Sequence, residues 1–365
     1  YSYGGTILRV DLTVGAIHHQ PTEEDLARAY LGGRGLNVKR LWDELPSNID
    51  GLSPENILLF GAGPLVGTTF PGGARFNVTA LSPQTGILGD GNAGGFFGPE
   101  MKFAGVDQIV LRGRAEHPVT LWIHDDRVEL RDARELWGLD VWETTTAIRM
   151  ELGDNDVQVA TIGPGAENGV RFAGVFASLN RPAARTGMGA VMASKNLKAI
   201  AVRGTGSFPV ADMRRFQAII ARLDEIIYNH PEYEVRCRMG TTKLVRALNS
   251  IGALPTRHFQ RGTFEAAEAV SGEAIEARFK VKGKACFACT IPCSRFLEVG
   301  DPRFPDLRLE GPEYEPLAGF TARVGNDDLA LGLKCVDLAN RYGLDAISLS
   351  EVISWAMECT QRGLL

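Results

Sequence analysis

Gly204-Thr205-Gly206-Ser207-Phe208-Pro209 separates two kinds of sequence, and this contrast decides the fold class. Before this stretch, short apolar runs alternate with Gly, Pro, Asp and Asn, which is typical of β-strands joined by turns. After it, apolar residues recur at spacings of three and four, which indicates an amphipathic helix from Val210 onward. We therefore predict an α+β protein with a β-rich domain at residues 1–206 and a mainly α-helical domain at residues 207–365.

The same two patterns predict the individual elements. The predicted strands are Thr6–Leu12, Ala16–His19, Asn56–Phe60, Phe76–Ala80, Gln108–Arg112, Val119–His124, Arg127–Leu130, Val157–Ile162 and Ala199–Val202, with a hairpin turn at Asp125-Asp126. The predicted helices are Glu23–Leu31, Trp142–Leu152, the helix from Val210, Leu329–Arg341 and Leu349–Arg362. Because the sequence has no initiator Met and stops at the end of a helix, we expect a fragment whose helical domain is incomplete.

Composition and charge argue against several classes of protein. The chain has 365 residues, of which 44% are hydrophobic and 23% charged, so it is long enough for two or three globular domains. Its net charge of −5 comes from 39 basic and 44 acidic residues mixed along the chain, so no basic stripe favours nucleic acid as a partner. The sequence contains neither a membrane-spanning apolar run nor a secretion signal at its start, and we predict a cytoplasmic protein.

Three of the six cysteines, Cys286, Cys289 and Cys293, form a CxxCxxxC motif. Thiolates at this spacing can turn inward from one loop onto one metal centre, and sparse cysteines in a chain without an export signal favour metal over disulfides. The motif favours a four-iron cluster, whose fourth ligand would be one of the other cysteines or lie beyond Leu365. A structural zinc site and three unrelated buried thiols are the alternatives, although no His lies nearby to complete a mixed zinc site.

Glycine is concentrated in three segments, Leu31–Leu36, Gly89–Gly95 and Arg185–Ala190. Backbone without a Cβ can approach a ligand closely and present N–H groups to phosphate oxygens, and Arg34 and Arg185 can bind phosphate. Each segment alone is more often a simple turn. Together they favour a large cofactor with several phosphate or polar groups. ATP and NAD lack support, because neither a P-loop nor a dinucleotide fingerprint is present.

At these segments the sequence resembles the aldehyde:ferredoxin oxidoreductases, and the likeness covers essentially the whole chain. The most specific motif is Arg185–Ile200. The others are Gly32–Gly35, Pro71–Phe76 with Ser82–Gly86, Asn92–Gly95, the CxxCxxxC motif and Glu310–Glu315.

The resemblance implies a β-rich base domain carrying two pterin-dithiolene molecules around one tungsten atom. It implies that Arg75 bridges a pterin and the cluster, and that Arg185 contacts a pterin phosphate. It also implies that Asn92 and Thr186 offer backbone carbonyls to a magnesium ion between the two pterin phosphates. The other implied cofactor contacts in these motifs are Ala93, Gly94, Gly95 and Gly187.

Two further sets of residues receive roles from the resemblance. Cys286, Cys289 and Cys293 are expected to hold a [4Fe-4S] cluster whose fourth cysteine lies in the absent part of the protein. The family's pterin-binding Asp-x-x-Gly-Leu motif corresponds here to Asn340, Gly343, Leu344 and Asp345. Asn340 replaces the first acid of that motif, so this position can still form hydrogen bonds but supplies no charge.

The family activity implied is the oxidation of an aldehyde to its carboxylate in an oxygen-sensitive enzyme, with electrons passing through the cluster to ferredoxin or a partner subunit. Glu313 is the candidate acid or base near the metal, since a desolvated carboxylate can move a proton. The alternative is that Glu313 only favours the first turn of the helix that follows. A histidine partner found in the family would lie beyond Leu365.

Two other functions remain open on the sequence alone. One is the tungsten subunit of a reductase acting on benzoyl-coenzyme A, which would share the fold. The other is an electron-transfer or scaffold subunit with a cluster and no tungsten, against which the glycine-rich segments argue. Molybdenum can replace tungsten on the same pterin ligands, and the sequence leaves the substrate open, as well as whether the protein forms homo- or hetero-oligomers.

Overall fold

The computed structural model describes residues 2–365 and divides into two compact units. The first unit contains the chain up to Leu223 together with Cys286–Cys289 and Arg341–Leu344. The second unit consists of Asp224–Ala285, Thr290–Asn340 and Asp345–Leu365. The predicted α+β class, β-rich first and mainly helical afterwards, is confirmed. The boundary predicted at 206/207 lies inside the first unit, which also takes in the two later segments.

Two six-stranded sheets form the frame of the first unit. The strands are β1 (Thr6–Asp11), β2 (Ala16–Pro21), β3 (Leu58–Ala62), β4 (Phe76–Leu81), β5 (Leu88–Ala93), β6 (Val106–Arg112), β7 (Val119–His124), β8 (Arg127–Asp132), β9 (Gln158–Thr161), β10 (Val175–Ala177), β11 (Arg181–Ala183) and β12 (Leu197–Arg203). Across the sheets they run β2-β1-β6-β3-β4-β5 and β11-β10-β9-β12-β7-β8. β1 pairs parallel with β6, β7 pairs parallel with β12, and the remaining pairs are antiparallel.

Short helices connect and cover these strands. They are α1 (Glu24–Tyr30), α2 (Gly33–Glu44), α3 (Phe97–Phe103), α4 (Val141–Leu152), α5 (Pro164–Glu167) and α6 (Met188–Ser194), followed by the start of α7 (Met213–Tyr228). The bounds of α4 show how the local sequence sets a helix. Asp140 accepts hydrogen bonds from two first-turn amides while Glu143 accepts one from the Asp140 amide, which is a capping box. Gly153 ends the helix with a φ of 66°.

Strand β4 separates the core from a polar face. Phe76 and Val78 are fully buried in the apolar core to which strands of both sheets contribute. Asn77 and Thr79 lie on the opposite face, because successive side chains of a strand alternate. There Thr79 Oγ1 accepts a hydrogen bond of 3.0 Å from Asn37 of α2. One face of this sheet is therefore apolar and packed, and the other carries hydrogen-bonding side chains.

The second unit combines helices with a small antiparallel sheet. Its elements are α8 (Tyr233–Met239), α9 (Leu244–Ser250), α10 (Gly272–Arg278), β13 (Lys280–Lys284), β14 (Ser294–Glu298), β15 (Arg308–Glu310), α11 (Tyr314–Phe320), α12 (Leu329–Arg341) and α13 (Ala346–Gln361), and α7 ends in it. Leu297 of β14, Leu317 of α11 and Leu333 of α12 are fully buried in its own core. Among residues 2–365, every helix is too short or too polar to span a membrane.

Most predicted elements are present, and the elements that were missed contain glycine or charged residues that hide the apolar pattern. The hairpin at Asp125-Asp126 is confirmed, since β7 and β8 pair on either side of it. Residues 88–93 form strand β5, although their glycine content suggested a loop. Helix α2 begins within the glycine-rich segment 31–36 and was not predicted. The expectation of a largely helical second part misses its three-stranded sheet, because these strands are short and interrupted by glycine or charged residues.

Lys195, in the most specific sequence motif, has a structural role. It is fully buried at the end of α6, and its Nζ donates to the carbonyl oxygens of Asn56 at 2.6 Å, Gly113 at 3.1 Å and Pro54 at 3.2 Å. Burial lowers the pKa of Lys195 from 10.5 to about 8, because the ammonium loses its water. The side chain thereby joins α6 to two loops that flank the strands.

We predict that Lys195 makes stability rise at alkaline pH. Below pH 8 the ammonium is charged in both the folded and the unfolded chain, so the cost of burying it is fully present. Between pH 8 and 10.5 the folded protein releases this proton while the unfolded chain keeps it, so the free energy of unfolding should rise by about 3 kcal/mol.

The measurement is urea unfolding from pH 7 to 10.5 for the wild type, for Lys195→Met and for Lys280→Met, a control whose side chain is 86% exposed. The rise should disappear in Lys195→Met and persist in the control. An equal rise in Lys195→Met would contradict this assignment.

Candidate functional site

The glycines of β5 allow another segment of the chain to pack directly against this strand. A Cβ at Gly91 would lie 2.8 Å from the carbonyl carbon of Ala183, and one at Gly89 would lie 2.6 Å from Cε of Met188 and 3.2 Å from Cβ of Thr186. At Gly91 the nearest atoms are backbone, so a side chain there would have to displace the segment itself. The glycine-rich segment around Arg185–Ala190 therefore runs along β5 only because β5 lacks side chains at these positions.

The first glycine-rich segment reaches the same strand through polar side chains. Arg34 Nε donates to Asp90 Oδ2 at 2.8 Å, and Asn77 donates to the same carboxylate at 3.0 Å. A Cβ at Gly33 would lie 3.4 Å from Asn77 Oδ1. The structure thus brings together the three glycine-rich segments that the sequence singled out. We call residues 32–35, 89–95 and 181–188, together with Cys286, the β5 site.

Cys286 reaches the end of β5 from a distant part of the sequence. The Phe287 amide donates to the Gly95 carbonyl at 3.2 Å, and a Cβ at Gly94 would lie 2.8 Å from Cys286 Sγ. Arg181 Nη1 donates to that sulfur at 2.9 Å. The first cysteine of the CxxCxxxC motif is therefore part of the same site as the glycine-rich segments.

Arg75 lies at the polar face beside β5. Its guanidinium donates from Nε to Asn92 Oδ1, and from Nη2 to the Asn92 carbonyl at 3.2 Å. Asn92 in turn donates to Asn77 Oδ1 at 3.1 Å. A Cβ at Gly94 would also lie 3.6 Å from Arg75 Nη1. A side chain at Gly94 would therefore meet both Arg75 and Cys286.

The charge of the β5 site suits an anion. Its charged residues are Arg34, Arg181, Arg185 and Asp90, and exposed Arg75 adds to the positive charge. The side chain of Arg34 is 64% exposed although it pairs with Asp90. Arginines can bind phosphate through two parallel hydrogen bonds, and backbone without Cβ atoms can approach it closely.

Thr186 provides a test of whether a polar group fits this site. Its Oγ1 is buried, and no hydrogen-bond partner for it exists among residues 2–365. A buried hydroxyl without a partner costs free energy, so the position favours a further polar group beside it. The chain turns sharply here: Arg185 has a φ of 78°, and a Cβ on Gly187 would lie 2.1 Å from the Arg171 carbonyl oxygen. The excess of arginine, the bare backbone and this hydroxyl fit a phosphate-bearing cofactor.

The two carbonyls expected at magnesium already accept hydrogen bonds. The Asn92 carbonyl accepts from Arg75 Nη2, and the Thr186 carbonyl accepts from Ser82 Oγ at 2.8 Å. Each carbonyl oxygen has two lone pairs, so accepting one hydrogen bond does not by itself exclude a cation. The Mg role of both residues stays a prediction.

The three motif cysteines are divided between the two units. Cys286 and Cys289 belong to the first unit, where the Cys289 amide donates to the Cys286 carbonyl at 3.1 Å. Cys293 belongs to the second, and its carbonyl accepts from Arg295 Nη1 at 3.2 Å. In the described chain no cysteine forms a disulfide, and no three His, Cys, Asp or Glu side chains are grouped to share one metal ion. This absence concerns sites for a single ion. In a four-iron cluster each cysteine binds a different iron.

Glu313 is exposed and immediately precedes α11, after a cis Gly311–Pro312 peptide. Thr241 Oγ1 donates to Glu313 Oε2 and accepts a hydrogen bond of 2.8 Å from the Tyr314 amide. The fully buried Arg295 donates to the Pro312 carbonyl as well as to Cys293, so one guanidinium supports both segments. The alternative placed Glu313 in the first turn of the following helix, and the residue lies immediately before that turn. Its catalytic role stays a prediction.

The residues matching the Asp-x-x-Gly-Leu motif are held by other parts of the chain. The Gly343 carbonyl accepts from the Gly174 amide at 2.9 Å, and Leu344 forms a β-bridge with Ala173. Buried Asn340 lies in α12 of the second unit, and Asp345 caps α13 by accepting from the Ser348 amide at 2.9 Å. Gly343 and Leu344 therefore contact residues 173–174 of the first unit, and the predicted pterin contacts of all four remain untested.

Sequence reasoning did not identify Asp90 and Arg181 as site residues. Asp90 stands inside the second glycine-rich segment, where no separate role was predicted for it. Arg181 precedes the third glycine-rich segment by four residues, and only the pairing of β10 with β11 brings it to the cysteine. No spacing pattern in the sequence signals either contact.

Comparison with known proteins gives consistent matches over the whole chain. The profile for "Aldehyde ferredoxin oxidoreductase, N-terminal domain" matches residues 7–204, and that for "Aldehyde ferredoxin oxidoreductase, domains 2 & 3" matches residues 218–365. The chain is 45% identical over 367 positions to a tungsten-containing aldehyde ferredoxin oxidoreductase of Pyrococcus abyssi, covering 100% of this chain and 60% of that protein. It is 42% identical to the corresponding Pyrococcus furiosus protein, again covering 100% of this chain and 60% of that protein.

Two relatives carry other names. An aliphatic sulfonate oxidoreductase WOR-like subunit of Pyrococcus furiosus is 30% identical, with 100% of this chain and 60% of that protein covered. Among solved structures, the BamBC active site complex of benzoyl coenzyme A reductase superposes with a TM-score of 0.88 at 31% identity, covering 100% of this chain and 57% of that one. The chain spans about 60% of the length of the relatives it matches.

We predict that filling the space at Gly91 destabilises the site. In Gly91→Ala the added methyl meets the Ala183 backbone at 2.8 Å, so β5 and β11 must separate, at a cost of about 2 kcal/mol in the free energy of unfolding. In the matched control Gly63→Ala, the new Cβ has no neighbour within 4 Å, and the change should stay below about 0.5 kcal/mol. Urea unfolding of both variants measures this. Equal unfolding midpoints would show that the close contact at Gly91 does not determine stability.

Proposed function

The chain belongs to the aldehyde ferredoxin oxidoreductase family, and from this membership we propose that its protein oxidises an aldehyde to a carboxylic acid. The proposed cofactors are a tungsten bis-pterin centre, a [4Fe-4S] cluster and a magnesium ion. The proposed electron acceptor is ferredoxin or a partner subunit. Because the chain covers 60% of its relatives, activity, substrate and oligomeric state are proposed for the whole protein.

The meeting of three glycine-rich segments at β5 is the observation that carries the proposal. A protein with a cluster alone would have no need for bare backbone, several arginines and a buried threonine hydroxyl beside one strand. Phosphate-bearing cofactors need these features, because their charge must be matched and their oxygens must be hydrogen-bonded.

The proposal gives each residue of the site a role. Arg185 binds a pterin phosphate, and Asn92 and Thr186 offer carbonyls to magnesium. Ala93, Gly94, Gly95 and Gly187 bring the backbone close to the cofactor. Arg75, across Gly94 from Cys286, is suited to lie between a pterin and the cluster.

Pterin contacts from the second motif are also proposed. These would come from Asn340, Gly343, Leu344 and Asp345. The Gly343 and Leu344 backbone is fixed by Gly174 and Ala173, which would keep these contacts rigid.

The proposed reaction is the conversion of an aldehyde and water into a carboxylate, two electrons and three protons. A bound tungsten-pterin centre would supply the two-electron oxidation, and a cluster held by the motif cysteines would accept the electrons. Glu313 is proposed to accept a proton at its carboxylate and pass it to solvent. The hydroxyl of Thr241 donates to this carboxylate and would hold it in place.

Cys286, Cys289 and Cys293 are the proposed ligands of three irons. The fourth ligand would come from the part of the protein that this chain does not include. A zinc site is the competing reading of the same cysteines.

The second candidate function is a reductase of the benzoyl coenzyme A type. The TM-score of 0.88 to the BamBC complex favours it as an alternative within the same fold. The identity of 45% to aldehyde oxidoreductases, against 31% for that complex, ranks it second. Dye reduction by aldehydes or by a dienoyl-coenzyme A, assayed side by side, separates the two functions.

We predict about four irons and one tungsten per chain in the full-length protein purified without oxygen. Elemental mass spectrometry measures tungsten, molybdenum, iron and zinc in one sample. Molybdenum in place of tungsten would leave the proposed chemistry but change the metal. Zinc without iron and without tungsten would contradict the proposal and would assign the cysteines to a structural zinc site.

A pair of cysteine variants sharpens this test. Cys286→Ser should lose iron, because it removes a proposed ligand. Cys335→Ser should keep it, since Cys335 is a half-buried residue of α12 whose pKa is raised by burial. Equal iron in both variants would remove Cys286 from the ligand set.

A further inference from the structure

The small sheet of the second unit has one face in the core and one face outside it. Val281, Leu297 and Leu309 lie side by side across its three strands, and Leu297 and Leu309 are fully buried in the core of this unit. The residues next to them along each strand point the opposite way, because side chains of a strand alternate. Every second residue of β13, β14 and β15 therefore belongs to the outer face.

This outer face carries more positive than negative charge. Its cations are Lys280, Lys282, Lys284 and Arg308, and its carboxylates are those of Glu298 and Glu310. Lys284 Nζ lies 2.9 Å from Glu310 Oε2. Lys280 Nζ lies 3.6 Å from Glu298 Oε2. Both carboxylates are thus already paired with lysines of the same face.

Lys282 and Arg308 supply the charge that remains. Both residues are exposed, and within residues 2–365 neither forms an ion pair. Lys282 stands directly opposite Phe296 of the central strand, which is half-buried. Protein-binding surfaces combine an aromatic residue at the centre with charged residues at the rim. The outer face has this composition.

Protection of the sheet edges is the competing explanation for these charges. β13 and β15 are the two edge strands, and charged side chains on an edge block pairing with another chain. Such protection works with either sign of charge, whereas binding of a charged partner depends on the sign. In a chain with a net charge of −5, edge protection also gives no reason for the excess to be positive.

We propose that the basic sheet face, defined as Lys280, Lys282, Lys284, Phe296 and Arg308, is the docking surface for an acidic ferredoxin. The inference rests on the proposed function, since that function supplies ferredoxin as the electron acceptor. Complexes between redox partners have small interfaces, and opposite charges on the two surfaces speed their formation and orient them. The unpaired cations beside a half-buried aromatic residue complement an acidic surface.

The experiment reverses the unpaired charges in the full-length protein purified without oxygen. It compares the wild type, the double variant Lys282→Glu with Arg308→Glu, and Arg261→Glu. Arg261→Glu is the matched control, because Arg261 is an exposed arginine of the same unit, lies outside this sheet and forms no ion pair within the described chain. Aldehyde oxidation is assayed with an acidic [4Fe-4S] ferredoxin and, separately, with the small dye benzyl viologen.

In the double variant, KM for ferredoxin should rise about tenfold at low salt, because two attractive charges become repulsive. The difference from the wild type should shrink at an ionic strength of about 0.5 M, where the charges are screened. The rate with the dye should match the wild type, and Arg261→Glu should match it in both assays. If the double variant does not fold, Lys282→Glu alone decides, with an expected rise of about threefold.

Three results would overturn the inference and leave the proposed function intact. An unchanged KM for ferredoxin with dye activity retained would assign the charges to edge protection. An equal rise in Arg261→Glu would show an effect of total charge rather than of this face. A wild type that reduces the dye but not ferredoxin would favour a partner subunit as the acceptor.

Two further results concern the protein as a whole. A lower unfolding temperature and loss of dye activity in the charge-reversed variants, with the control unchanged, would overturn the inference and assign the face to contact with the rest of the protein. A wild type without aldehyde-dependent dye reduction would remove the proposed function, and this inference with it.

Discussion

The absence of side chains along one edge strand is the constraint on which the rest of the site depends. At Gly89 and Gly91, β5 meets the segment 183–188 so closely that a single methyl group would separate them. Beyond the strand, Gly94 and Gly95 admit Cys286 and the stem of Arg181 in the same way. A run of glycines in a strand weakens it, because glycine loses the most conformational freedom on folding. Here the antiparallel pairing with β4 offsets that cost, and the missing side chains let residues 183–188 pack directly against the strand.

The two faces of the sheet that contains β4 have different roles. Phe76 and Val78 supply the packing that holds the sheet in place, while Asn77 and Thr79 face the opposite way and bind side chains of the site. Lys195 shows that membership of a specific motif does not imply contact with a cofactor. Its ammonium donates to three backbone carbonyls, so its presence in the motif is explained by the joining of α6 to two loops.

The sequence predicts the α+β class well because period-two and three-and-four patterns report burial directly. It fails at β5, since a strand of Leu88–Ala93 with alternating glycines has no side-chain pattern to read. The grouping of the three glycine-rich segments was predictable from their composition, as was the cysteine motif. The contacts of Asp90 and Arg181 were not, because they depend on which strands pair and on a strained turn at Ser178 and Leu179.

The first unit is assembled from pieces that are far apart in the chain. Its two sheets are complete by Arg203, yet Cys286–Cys289 and Arg341–Leu344 also belong to it. A ribosome therefore completes the residues of both sheets well before it releases the last segments of this unit. Contacts over such long sequence separations form slowly and leave partly folded chains open to association. The parts of the first unit to which residues 341–344 contribute therefore cannot form until residue 344 has emerged.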